Sequence, residues 1–249
     1  MKWNAALYDE KHNFIAEYGK GLLAFVPENN HQSILDLGCG TGTLTVQLAE
    51  LADRVVGMDS AQSMIDTAKA YFSDITFMVG DALALPFEAE FDVVFSNAVF
   101  HWINDHDLLL KNIHKALKPH GALICEFGAE GNIATIDRAF SAASQAHGYT
   151  FTAKFNFPAS AHFAALLEAN GFVIEKVYDF DRPTPLKDGA DGLASWLKQF
   201  YASELAVMPA TVQNAVLRET EAATRDALWN GAEWIADYRR LRAIAHKAQ

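Results

Sequence analysis

Residues 35–42 read Leu-Asp-Leu-Gly-Cys-Gly-Thr-Gly, and this loop, with glycine at 38, 40 and 42, constrains the chain more than any other segment. Glycine reaches backbone conformations closed to other residues, so such a loop turns sharply and lets a ligand come close to the main chain. Ser33–Leu37 in front of it reads as a strand, and Leu44, Leu48 and Leu51 behind it predict a helix over 43–51. The alternation continues. Arg54–Met58, Ile75–Val79, Phe91–Ser96 and Ala122–Phe127 are predicted strands. Between them Ser60 is a candidate cap for a helix burying Met64, Ile65 and Ala68, Pro86 breaks the chain, and Asp105 or Asp107 starts a helix carrying Leu110, Ile113 and Leu117. Short β-branched runs alternating with helix-length amphipathic runs mean a parallel sheet with crossover helices.

The second half is less regular. Asn132–His147 predicts a helix, an aromatic segment runs through Phe157, and Ser160 opens a helix that stops at Asn170-Gly171. Phe172–Phe180 predicts a sixth strand. Arg182-Pro183-Thr184-Pro185 is read as irregular, since proline fixes φ and removes a donor. Residues 190–228 read as two helices parted near Pro209, and Trp234–Lys247 as an antiparallel strand inserted beside the sixth. With no repeat and no linker, the chain reads as a single domain over 1–249.

Composition excludes several classes. The chain has 249 residues, 51% hydrophobic and 20% charged, which fits a globular protein with its own core rather than a disordered or disulfide-stapled one. Its net charge of −11, with no basic run, opposes binding to nucleic acid. Met1–Asn13 has no apolar core and reaches acid at Asp9, against a signal peptide, and no apolar stretch approaches the roughly twenty residues of a membrane span. Cys39 and Cys125 lack metal-ligand spacing and suit a reducing cytoplasm; no metal site is expected.

The glycine loop departs from the dinucleotide fingerprint, because Thr43 stands where a sixth-position glycine is required and Asp36 is ill placed beside a pyrophosphate. An acid there suits a ligand with a cationic amino group, or it satisfies loop amides. Asp59 ends the second strand, where a carboxylate bonds ribose hydroxyls. Asp81 and Ala82 follow the third strand, where a side chain and a backbone N–H reach an adenine edge. These pieces, with Phe91-Asp92-Val93-Val94-Phe95-Ser96-Asn97 and Lys118-Pro119-His120-Gly121, resemble the class I S-adenosylmethionine-dependent methyltransferases over residues 33–128. His120 departs from the family's glycine. The resemblance implies a doubly wound, seven-stranded, mostly parallel α/β sheet in the order 3-2-1-4-5-7-6, with a helical lid over 1–30 and helical insertions over 129–158 and 187–230 that cover the acceptor. It also implies methyl transfer from S-adenosylmethionine, leaving S-adenosylhomocysteine. The candidate cofactor residues are Tyr8 in the lid, Asp36, Gly38, Cys39, Gly40, Gly42, Asp59, Ser60, Met64, Asp81, Ala82, Ser96 and Asn97.

After the fourth strand comes Ala98-Val99-Phe100-His101-Trp102, without the Asn-Pro-Pro-aromatic or Pro-Cys turns of nucleic-acid and glutamine methylating enzymes. The His-Trp pair resembles the small-molecule group that includes trans-aconitate methyltransferase. A hydroxyl acceptor benefits from a base, and His101 is the candidate, either as that base or as a packed histidine. Trp102, Arg182 and Trp196 are candidate acceptor contacts. The expected partner is a small molecule methylated on oxygen or carbon; the competing readings are a nucleotide-dependent oxidoreductase and a silent cofactor-binding module.

Overall fold

The computed structural model describes Gly19, 21–28 and 32–248. Of the predicted lid over 1–30, residues 1–18, with Tyr8, and 20, 29 and 30 lie outside the described residues, while Leu22 and Val26 of the remainder are buried in the core. The strands are β1 (Ser33–Leu37), β2 (Arg54–Asp59), β3 (Thr76–Val79), β4 (Phe91–Asn97), β5 (Leu117–Gly128), β6 (Phe172–Asp181) and β9 (Arg239–Lys247), which form one seven-stranded sheet in the order β3-β2-β1-β4-β5-β9-β6. The pairings β3–β2, β2–β1, β1–β4 and β4–β5 are parallel. At one end of β9 the Ala248 N–H donates to the Gly171 carbonyl, and at the other the Arg182 N–H donates to Tyr238, so β9 runs antiparallel to β6. This is the expected order.

The helices are α1 (Thr45–Leu48), α2 (Gln62–Tyr71), α3 (His106–Ala116), α4 (Ala134–Ala146), α5 (Ser160–Ala169), α6 (Gly192–Phe200), α7 (Ala202–Ala206) and α8 (Ala210–Leu228). Alternate strand residues feed opposite faces of the sheet. Leu35, Val56, Val94 and Leu123 join one cluster with Leu110 and Ile113 of α3 and Phe163 and Leu167 of α5. Their neighbours Ile34, Val55, Val93 and Ile124 join another with Leu22, Leu44 and Leu48. Both faces are therefore covered, as a doubly wound sheet requires.

Several elements differ from expectation for local reasons. Helix α1 is only four residues long, because Leu51 N–H turns back to Leu48 and the chain must reach β2 within a few residues. The cap of α2 is Ala61, with the Asp59 carboxylate accepting its N–H, and not Ser60. Asp105 caps α3 through Leu108 N–H at 2.9 Å. The Lys118–Gly121 turn lies inside β5 as a register shift against Phe91–Val93, with His120 at φ 63° taking the left-handed conformation a glycine would. Thr184–Pro185 forms a two-residue strand, β7, on Ile235–Ala236, β8, where regular structure was not expected. Tyr201 parts the 190–228 region as well as Pro209, giving three helices.

The chain divides into two compact units. One holds the chain up to Ala129, Phe155–Asp179 and Leu241–Gln249; the other holds Glu130–Lys154 and Phe180–Arg240. The second has an aromatic core of its own, with Tyr201 against Phe140, Phe151 and Trp196. Among the described residues no helix is long and apolar enough to cross a membrane.

Candidate cofactor site

In the first unit the loops after β1 and β4 leave neighbouring strands in a parallel sheet, the place where open α/β sheets form a crevice. A cavity of about 580 Å³ lies there, within the range of small-molecule sites. Gly38 and Gly40 line it from the first loop, Asp59 and Ser60 from the end of β2, and Asp81 and Ala82 from beyond β3. Asn97, Met64 and Trp102 complete the predicted lining.

Backbone geometry makes the glycines necessary. Gly38 has φ +80°, and a Cβ there would lie 2.1 Å from Val99 Cγ2. Its N–H and that of Cys39 both donate to the Met58 carbonyl, at 2.7 and 3.1 Å, which folds the loop onto β2. Gly40 has φ +56° and nothing within 4 Å of where a Cβ would stand, so its backbone borders open space. Asp59 fixes this arrangement, Oδ2 accepting from Gly40 N–H at 3.0 Å and Oδ1 from Ala61 N–H at 2.8 Å. Burial raises the Asp59 pKa against the opposing pull of these amides. Asp81 Oδ1 accepts from Leu83 N–H at 2.9 Å and so caps the 3₁₀ turn Ala82–Ala84.

Other predicted residues sit behind the lining. Asp36 is 2% exposed and accepts from the Thr45 hydroxyl at 2.7 Å; burial pushes its carboxyl up to about 7, with Thr45 lowering it and Asp59 raising it. The Cys39 side chain packs with Ile65, Ala68 and Phe77, and burial pushes its thiol up. A Cβ on Gly42 would meet Phe77 at 2.8 Å, so this glycine serves packing. Ser96 donates to the Leu37 carbonyl at 2.8 Å and ties β4 to β1.

His101 is buried and does not line the cavity. Its Nδ1 accepts from Gly128 N–H at 3.3 Å, and its ring lies among Trp102, Phe155 and Phe157 with centroids 5.5–5.8 Å away. Arg182 and Trp196 belong to the second unit. Arg182 lies over the Phe180 ring at 4.9 Å, and Trp196 is a core residue whose Nε1 donates to the Tyr238 hydroxyl at 2.7 Å. Sequence reasoning missed Ala98, Val99 and Ile103–Asp105 in the wall. The available signal was their place between the end of β4 and the Asp105 cap. Ala98 takes φ 60° with its N–H on the Glu126 carbonyl at 2.7 Å, a strain no pattern announces.

A model of the methyltransferase domain matches residues 35–125. An uncharacterized methyltransferase of Schizosaccharomyces pombe is 31% identical over 98% of this chain and 98% of its own length. The chain belongs to the class I S-adenosylmethionine-dependent methyltransferases. A trans-aconitate 2-methyltransferase of Deinococcus radiodurans is 32% identical to this methyltransferase over 80% of each chain. The fold is shared with the YcgJ protein of Bacillus subtilis, at TM-score 0.64 and 16% identity, covering 94% of this chain and 99% of that one. It is shared also with a Haemonchus contortus phosphoethanolamine N-methyltransferase solved with S-adenosylhomocysteine, at TM-score 0.63 and 19% identity, covering 98% and 57%.

The residues of the cavity fit the family's cofactor. The open face at Gly40 admits a ligand against the main chain. Gly40, Ala61 and Ser60 supply three amides to the two Asp59 oxygens, whose four or so lone-pair positions leave acceptor capacity for a further donor, as a ribose diol needs.

Proposed function

We propose that the cavity at the ends of β1–β4 holds S-adenosylmethionine and that the enzyme methylates an oxygen or carbon of a small acceptor molecule. The observation that carries the reading is the convergence of four strand-end loops on one cavity whose glycine loop is tied to the Asp59 carboxylate. When bound, the cofactor supplies a methyl group on an already activated sulfonium. The chain's part is therefore to hold, align and dehydrate. Alignment alone lowers a barrier by about 7–11 kcal/mol in favourable cases. Asp59 accepts from ribose hydroxyls, Asp81 and Ala82 serve the adenine edge, and Asp36, behind the lining, favours a cationic amine in its ionised form.

His101 acts here as a donor and packing group. Nδ1 accepts from Gly128, so a neutral ring carries its proton on Nε2 and has no uncommitted lone pair for base work. An acidic acceptor needs no base in any case. The similarity to a trans-aconitate 2-methyltransferase makes a small carboxylic acid the first acceptor to assay. The buried cysteines and acidic charge suit the cytoplasm.

The test is calorimetric titration with S-adenosylhomocysteine, S-adenosylmethionine and NAD, followed by transfer of a labelled methyl group to trans-aconitate and other small acids. Binding of the first two and not NAD is expected. Asp59→Ala should weaken it by about 5- to 150-fold, since ribose donors lose their acceptor. Binding of NAD alone would favour an oxidoreductase, and binding without transfer to any metabolite would favour a silent module.

A further inference from the structure

The wall of the cavity from Trp102 to Asp105 belongs to no strand or α-helix, and what holds it comes from far along the chain. The backbone N–H of Asn156 donates to the His101 carbonyl at 2.9 Å. Its side-chain Nδ2 donates to the carbonyls of Ile103 and Asn104 at 3.2 and 3.1 Å. His106 Nε2 lies 2.9 Å from the Phe100 carbonyl, which can only accept, so this nitrogen carries the proton and Nδ1 is left as an acceptor, 3.5 Å from the same Asn156 Nδ2. The flanking Phe155 and Phe157 stack at 5.3 Å, and Phe155 meets the Trp102 ring edge-on at 4.6 Å. At position 156 the side-chain amide thus grips two carbonyls of the turn and the backbone N–H a third, while its neighbours grip the turn's aromatic side. A carboxylate there would set oxygen against oxygen.

We propose that Asn156, supported by His106, is a positioning residue for methyl-donor binding: it holds Trp102–Asp105 as a preformed wall of the cavity. The inference rests on the reading of that cavity as the cofactor site. Without the amide the turn must be ordered by the ligand itself, and affinity falls by the population of the competent form.

Asn156→Ala and the milder Asn156→Ser, which keeps one donor, test this by calorimetry with S-adenosylhomocysteine at a temperature where circular dichroism shows each variant folded. Hydrogen exchange of the peptide covering 100–105 is read in parallel. The expected result for Asn156→Ala is a dissociation constant raised about 5- to 30-fold, with exchange protection lost in that peptide and regained on ligand addition, and Asn156→Ser between it and wild type. A folded Asn156→Ala with unchanged affinity overturns the inference while the wild type's binding keeps the cofactor reading. A wild type that does not bind S-adenosylhomocysteine overturns both.

Discussion

A neutral imidazole offers one proton and one lone pair, and at His101 the Gly128 N–H has engaged the lone pair at Nδ1. If the ring donates and packs, His101→Ala should lower kcat by less than about 100-fold and leave the shape of the pH–rate profile intact. A fall of about 10²–10⁴ with loss of one limb would reinstate a general base. The sequence placed His101 correctly, just beyond β4, but its partner is 27 positions away and no pattern links the two. Asp36 teaches the same lesson. Its place before the glycines was legible, whereas its burial under Thr45 depends on how the loop folds back on Met58.

At the level of the element, the glycine loop separates stability from binding. Gly38→Ala would put a methyl 2.1 Å from Val99 in a left-handed backbone, so a loss of about 2–5 kcal/mol in urea unfolding is expected. Gly40→Ala meets nothing within 4 Å and should cost only about 1–2 kcal/mol of strain, yet it adds a methyl to a residue that lines the cavity and should weaken S-adenosylhomocysteine binding disproportionately. Equal effects of the two on stability would contradict this geometry. Strands β1 to β5 were legible because each carries a short, mostly apolar run bounded by turn residues. Residues 182–185 were not, because the pairing of Thr184 with Ala236 is set by a partner fifty residues on, which outweighs what two prolines say locally.

For the whole molecule, burial sets opposing pH dependences. Asp36 has a folded pKa of about 7 against 3.8 in its ordinary state, so the folded form keeps a proton the unfolded form has lost, and stability falls as pH rises from about 4 to 7. His106 is lowered below 6.5, by burial first and the His162 charge next, against the Phe100 bond and Asp105; its contribution is full above 6.5 and declines as pH falls. Asp36→Asn should therefore gain on the wild type in thermal melts as pH goes from 5 to 8; a constant difference would show that Asp36 does not titrate in this range. The net charge of −11 was readable at once, but these slopes were not, since they depend on which groups the fold encloses. Nor was the division into two units legible, because the chain crosses between them four times without a proline- or glycine-rich linker. Asp59 accepts from Gly40 and Ala61 of its own chain, so on the proposed reading the seat of the nucleoside is built by the fold itself. On that reading methyl transfer leaves the nucleoside unchanged, and the same contacts serve the spent product as well as the donor. The expected consequence is that added S-adenosylhomocysteine slows the labelled methyl transfer, with the enzyme's own product as the brake.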